Sequence, residues 1–159
     1  MTDTSSLSHL IERLERCAGP DRELDRDILT VVRGLRVIDG YLIEMDGWYY
    51  SLDGDEKNPA YPSPTQSIDA AMALVPEGAG LRIDRYWTTT AQSAVWSALI
   101  STGGVPNNPR RVFEHYDGPN AAIAVSIAAL KAHSVRDPGD STKERALLLS
   151  KSPAEGGEM

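Results

Sequence analysis

The chain has 159 residues, of which 41% are hydrophobic and 25% charged, values typical of a single globular domain. Its 16 basic and 23 acidic residues give a formal net charge of -7, and an acidic chain repels phosphate backbones, which argues against general nucleic-acid binding. A single cysteine excludes an internal disulfide, and no apolar run approaches the roughly 20 residues of a membrane helix. We therefore expect a cytoplasmic protein without an export signal or a membrane anchor.

The first segment of the chain has the periodicity of a helix. Apolar residues recur at i, i+3, i+4 and i+7 along one face of a first helix: Leu7, Leu10, Ile11 and Leu14. Gly19-Pro20 ends this helix and begins a second one, whose first turn carries Asp21 and Glu23, where carboxylates interact favourably with the helix dipole. The pattern predicts a helical hairpin over residues 1–35.

Three Asp-Gly pairs follow, and Asp-Gly supplies the positive φ angles of tight hairpin turns. Short apolar or aromatic runs lie between the pairs, which predicts short strands. The pairs are Asp39-Gly40, Asp46-Gly47 and Asp53-Gly54.

The next segment has the form of a capping box with proline at the first helical position, so a third helix is expected to begin at Ser63-Pro64. Residues 81–89, 93–101 and 111–116 then have the composition and alternation of strands. An alanine-rich final helix is expected over 118–133.

The fold class predicted from this order is a single-domain α/β (α+β) fold, an α-β-α sandwich with a mainly antiparallel sheet and helices on both faces. The domain is expected to cover residues 1–137. The remaining 138–159 form a polar tail in which 152–159 are expected to be disordered, because they lack an apolar face.

Several segments resemble the phage α-β-α (ABA) sandwich domain, a family of small phage and prophage proteins. The similar segments are Gly19-Pro20-Asp21-Arg22-Glu23-Leu24-Asp25, the aromatic cluster Trp48-Tyr49-Tyr50, residues 61–78 and the closing alanine-rich helix. The resemblance covers residues 7–133 and implies a sheet with helices on both faces, and an infected bacterial cell as the setting. It implies no catalytic residues.

Motifs for catalysis, metal binding or cofactor binding are absent from the sequence. The three histidines are far apart and none has metal-ligand spacing, so each is expected to be structural or solvated. Cys17 is expected to be a small buried residue. We therefore predict no catalytic residue, no metal and no cofactor, and the protein is not expected to be an enzyme.

Aromatic residues and arginines are the strongest indication of a binding surface, since they supply stacking area and forked hydrogen-bond donors. Trp48, Tyr49 and Tyr50 are consecutive, so on a strand they cannot all face one core. Tyr86, Trp87 and Trp96 lie on the predicted sheet; the alternative interpretation makes Trp87 and Trp96 core residues and leaves the arginines solvated. The candidate surface comprises Trp48, Tyr50, Arg82, Arg85 and Arg110.

Three functions remain open at this stage. The first is a non-enzymatic phage accessory protein that binds a host component, with the countering of a host defence system as its purpose. The second is a protein that sequesters a small anionic ligand such as a nucleotide signal, since arginine beside aromatic residues and helix starts suit phosphate. The third is an enzyme with an unfamiliar site. Self-association of the chain is also open.

Overall fold

The computed structural model describes residues 4–44, 49–51, 60–90, 93–103 and 110–135. Within them the chain forms four helices and six strands. In chain order these are α1 Thr4–Glu15, α2 Arg22–Arg33, β1 Arg36–Ile38, β2 Tyr41–Ile43, β3 Tyr49–Ser51, α3 Ile68–Met72, β4 Gly80–Thr88, β5 Ser93–Thr102, β6 Arg111–Gly118 and α4 Ala121–Ser134. The predicted tail, the turns Asp46-Gly47 and Asp53-Gly54, and Trp48 lie outside the described residues.

The helical hairpin is confirmed, with one change at the start of its second helix. Asp21 is the N-cap of α2 and its side chain accepts a hydrogen bond from the Leu24 N–H, so it stands before the helix rather than in its first turn. The helix ends at Gly34, whose φ of 68° is left-handed and favours glycine.

The smaller sheet has the antiparallel order β1-β2-β3. Its first turn is the predicted Asp39-Gly40 pair, with φ values of 49° and 82°, as a tight two-residue hairpin requires. Leu42 in the central strand is buried and joins the core.

The predicted third helix begins later than its sequence indicates. Ser63 does not cap it; its hydroxyl donates instead to the carboxylate of Asp25 on α2. A separate turn occupies residues 64–66, and Ser67 is the N-cap of α3, accepting from the Ala70 N–H. A contact with a distant helix has therefore displaced the capping box that the local sequence favours.

The larger sheet has the antiparallel order β4-β5-β6. The β4–β5 pairing is continuous from Gly80↔Ser101 to Thr88↔Ser93. The β5–β6 pairing contains an irregularity between Trp96 and Ala98 and ends where Trp96 faces Gly118. Because facing residues share a side of the sheet, this register assigns every side chain of β4 to one of two faces.

Helix α4 is the centre of the core. It packs on β5 and β6 with one side and on α1 and α3 with the other, and its residues are buried almost all round. The α+β class and the antiparallel sheets are thus confirmed. The helices are stacked on one side, since in the described part of the chain no helix packs on the far face of the larger sheet. That face carries charged residues, so it needs no apolar cover.

Gly118 allows β6 to approach α4 closely. A Cβ atom at this position would lie 2.8 Å from the Ala124 Cβ and 3.2 Å from its Cα. We expect Gly118→Ala to lower the free energy of unfolding by about 1–3 kcal/mol, because the strand or the helix must shift. Chemical denaturation measures the loss; the control is Gly19→Ala, since a Cβ at Gly19 meets no atom within 4 Å. Equal stability of both variants would contradict the close packing.

Candidate binding surface

The β4–β5 hairpin extends beyond β6 and α4, the elements that pack beside it. Strand β6 stops opposite Trp96, and α4 begins three residues after Gly118 and runs back along the sheet. Its last turns lie near the start of β6, where the Lys131 Nζ donates to the Glu114 carbonyl and Arg111 donates to the Val135 carbonyl. Among the residues that the structure describes, the end of the hairpin, residues 86–88 and 93–95, therefore has neither a third strand nor α4 beside it.

The face of β4 that packs toward α4, called the inner face here, carries Leu81, Ile83, Arg85 and Trp87 in succession. The first two are half-buried and pack against the core. Trp87 lies beyond the start of α4 and is 67% exposed. A tryptophan this exposed presents a large apolar area that a partner could bury.

Arg85 lies between the covered and the uncovered parts of the inner face. It pairs across the strands with Trp96, and its guanidinium carbon is 5.6 Å from the centre of the Trp96 ring. This distance is within the range of a cation–π contact. Arg85 forms no salt bridge with any residue that the structure describes. We call Arg85, Trp87 and Trp96 the hairpin surface.

The opposite face, the outer face, forms an open groove of about 490 Å³. Arg82 Nε lies 2.8 Å from Asp84 Oδ2, and the two side chains are 71% and 46% exposed. Glu114 and Asp84 both line the groove, and their carboxylates offset the charges of its two arginines, Arg82 and Arg85. The lining residues are Arg82, Asp84, Arg85, Tyr86, Ser97, Ala98, Leu99 and Glu114.

The predicted site residues that the structure describes lie in separate places. Arg82 projects from the outer face and Arg85 from the inner face, because they are three positions apart on a strand. Arg110 is exposed at the start of β6, near the Thr102–Arg111 pair and thus about 20 Å along the sheet from Trp96. Trp48 lies outside the described residues.

Tyr50 belongs to the smaller sheet and has a structural environment. Its hydroxyl donates to Glu44 Oε1 at 3.1 Å, and the Arg33 guanidinium donates to the same oxygen. Burial, followed by the hydrogen bond to Glu44, raises the pKa of the Tyr50 hydroxyl. The ring packs against the core, so little of it is available to a ligand.

The environment of Trp87 is hard to predict from the sequence. The alternative interpretation makes it a core residue, whereas in the structure it is exposed. Trp96 does pack against the core, in agreement with that interpretation. The distinguishing signal is position: Trp87 is the last residue but one of β4, and the turn that follows this strand begins at Thr89. Side chains next to a turn often lie beyond the elements that cover the sheet.

Comparisons with protein-family models, curated proteins and solved structures find no match to this chain. The resemblance to the phage sandwich family therefore stays a prediction. None of the described helices has the length and apolar character needed to cross a bilayer. Among the described residues there is also no cluster of three or more histidine, cysteine, aspartate or glutamate side chains arranged to hold a metal.

Proposed function

We propose that this protein is a non-enzymatic binding protein whose working surface is the hairpin surface. The observation that carries the proposal is the 67% exposure of Trp87 next to an arginine that is held over a second tryptophan. Tryptophan and arginine are the residues most enriched among the strong contributors to protein–protein affinity. Burying one aromatic side chain removes on the order of 150–250 Å² from water.

The partner that this surface suits best is a protein with a carboxylate close to an apolar pocket. The pocket would accept the Trp87 indole, and the carboxylate would pair with the Arg85 guanidinium, whose carbon lies 5.6 Å from the centre of the Trp96 ring. If the family resemblance holds, the partner is a component of the bacterial host, with a defence protein as one candidate.

Sequestration of a small anionic ligand has less support. It needs several positive groups around one enclosed space, whereas the outer groove is open and its Arg82 is paired with Asp84. The hairpin surface contains one positive group, Arg85. Release of a nucleotide or another anion from the purified protein on denaturation would favour this second function.

We expect Trp87→Ala to weaken partner binding by about 30-fold or more, the scale of an interface residue that contributes about 2 kcal/mol. Host-extract proteins retained by immobilised wild-type protein are identified by mass spectrometry, and the affinity of the purified partner is then titrated. Arg85→Ala should weaken the same complex, and its effect should shrink at high salt.

The matched control is Val112→Ala, which shortens another exposed apolar side chain on the larger sheet. Trp87→Ala and Val112→Ala should both keep the melting temperature of the wild type, because exposed positions contribute little to stability. Binding that survives Trp87→Ala, or is lost equally in Val112→Ala, would rule out the hairpin surface.

A further inference from the structure

Strand β4 lies at one edge of the larger sheet, and its edge away from β5 pairs with no other strand in the described residues. Its pairing with β5 has no register shift, so the backbone groups along that free edge form a regular row. The nearest helix, α4, packs on β5 and β6 and leaves this edge uncovered. Strand β6, at the other edge, is distorted by the irregularity beside Trp96. A long regular edge is a template for another strand.

From this edge we infer that β4 pairs with β4 of a second copy of the chain, antiparallel and around a two-fold axis at Ile83. The two larger sheets would then form one continuous six-stranded sheet. A two-fold axis perpendicular to the sheet keeps both inner faces on the same side, so both α4 helices would also lie on that side. Self-pairing of this kind goes beyond the proposed function, since it involves the edge of β4 rather than the hairpin surface.

Charge complementarity selects both the partner and the register. In a pairing centred on Ile83, Arg82 faces Asp84 of the second copy, and Asp84 faces its Arg82. Shifting the centre to Arg82 places two arginines opposite each other, and shifting it to Asp84 places two aspartates opposite each other. Like charges directly opposite are unfavourable, and opposite charges are favourable. The intrachain Arg82–Asp84 pair would become a network of two arginines and two aspartates.

The uncharged positions agree with the same register. Ile83 faces Ile83 of the second copy on the inner face, where it is only half-buried in one copy. Gly80 faces Tyr86 of the second copy, an arrangement in which an aromatic ring covers the space left by a glycine on a neighbouring strand. Charged side chains usually protect an edge strand from pairing. Here the two-fold symmetry converts them into matched pairs.

The dimer leaves the hairpin surface accessible. Trp87 lies four residues from Ile83, so each tryptophan would be about 13 Å along the strand from the axis, at opposite ends of the paired strands. A dimer would therefore present two hairpin surfaces at opposite ends of the paired strands, both on the side of the sheet that carries the α4 helices.

The test is sedimentation of the full chain from micromolar to millimolar concentration, with charge-changed variants. We expect a dimer for the wild type, and for Arg82→Asp and Asp84→Arg alone we expect dissociation constants higher by about tenfold or more, because each variant places like charges opposite each other. An equimolar mixture of the two variants should form a heterodimer, since both aspartates of the Arg82→Asp copy, at positions 82 and 84, then face arginines of the Asp84→Arg copy, at positions 84 and 82.

Controls with the same kinds of charge change are Glu12→Arg, at an exposed position of α1, and Arg16→Asp, at the exposed residue that follows α1. They should sediment like the wild type. A wild-type protein that stays monomeric throughout would overturn the inference, as would two single variants that dimerise normally or a mixture that fails to associate.

Hydrogen exchange supplies a measurement that needs no variant. The outward amides of β4 should gain protection as the wild-type concentration rises, while those of β6 should not. Protection of β4 that is independent of concentration would contradict pairing at this edge. Because Trp87→Ala leaves residues 80–86 unchanged, failure of the hairpin surface and failure of the dimer are distinguishable.

Discussion

Replacing Ile127 with alanine is expected to lower the free energy of unfolding by about 3 kcal/mol, near the middle of the range for large-to-small core substitutions. Ile127 is fully buried in the middle of α4. This helix is enclosed between the larger sheet on one side and α1 and α3 on the other, so the surroundings have little room to close the cavity. Leu14→Ala, at a fully buried position of α1, should cost a similar amount.

Urea denaturation measures these losses, with the slope of the free energy against urea concentration as a check on two-state unfolding. The matched control is Ile68→Ala, which makes the same deletion at a position that is 38% exposed. A loss below about 1 kcal/mol for Ile127→Ala would mean that α4 is not enclosed as described.

The regular elements of this fold could be predicted because their periodicity is local. The strands expected over 81–89, 93–101 and 111–116 are observed as Gly80–Thr88, Ser93–Thr102 and Arg111–Gly118. The Asp39-Gly40 turn could be predicted for the same reason, since its backbone angles depend on two adjacent residues. The start of α3 could not, because the hydroxyl of Ser63 bonds to Asp25, which is 38 residues away.

The candidate site was harder to predict because its chemistry depends on which face each residue occupies. Arg82 and Arg85 were grouped by proximity in the sequence, yet alternation along β4 places them on opposite faces. Asp84 shares a face with Arg82, and their salt bridge offsets the positive charge of Arg82, one of the arginines on which the anion hypothesis depends. The exposure of Trp87 depends on where β6 and α4 begin and end, which no local pattern shows.

Asp25 is a further residue whose role was invisible in the sequence. It lies in the first turn of α2, where a carboxylate is ordinarily solvated, yet its side chain is fully buried. It accepts hydrogen bonds from the Ser63 hydroxyl and from the Thr65 N–H, the latter at 2.7 Å. The Arg22 guanidinium lies 3.8 Å away.

The segment that Asp25 holds also joins α2 to α4. The Asn120 amide donates to the Thr65 carbonyl, and the Ser126 hydroxyl donates to the Pro64 carbonyl. Tyr61 adds a further hydrogen bond to α2, since its hydroxyl donates to the Arg22 carbonyl. Two segments on which the family resemblance rests, residues 19–25 and 61–78, are thus in direct contact.

Asp25→Ala is therefore expected to lower the free energy of unfolding by about 3 kcal/mol, because it leaves the buried Thr65 N–H without its acceptor and removes the partner of the Ser63 hydroxyl. Asp25→Asn should cost less, since the amide oxygen can still accept from Thr65 while the Ser63 hydroxyl accepts from the amide nitrogen. Asp27→Ala is the matched control on the same helix, where a half-exposed ion pair with Arg13 contributes at most about 1 kcal/mol. Urea denaturation of the three variants gives the comparison. If Asp25→Ala and Asp27→Ala lose the same stability, the carboxylate of Asp25 does not hold the 61–67 segment against α2, and the contact between the two segments must depend on other interactions, such as the hydrogen bond from Tyr61 to the Arg22 carbonyl.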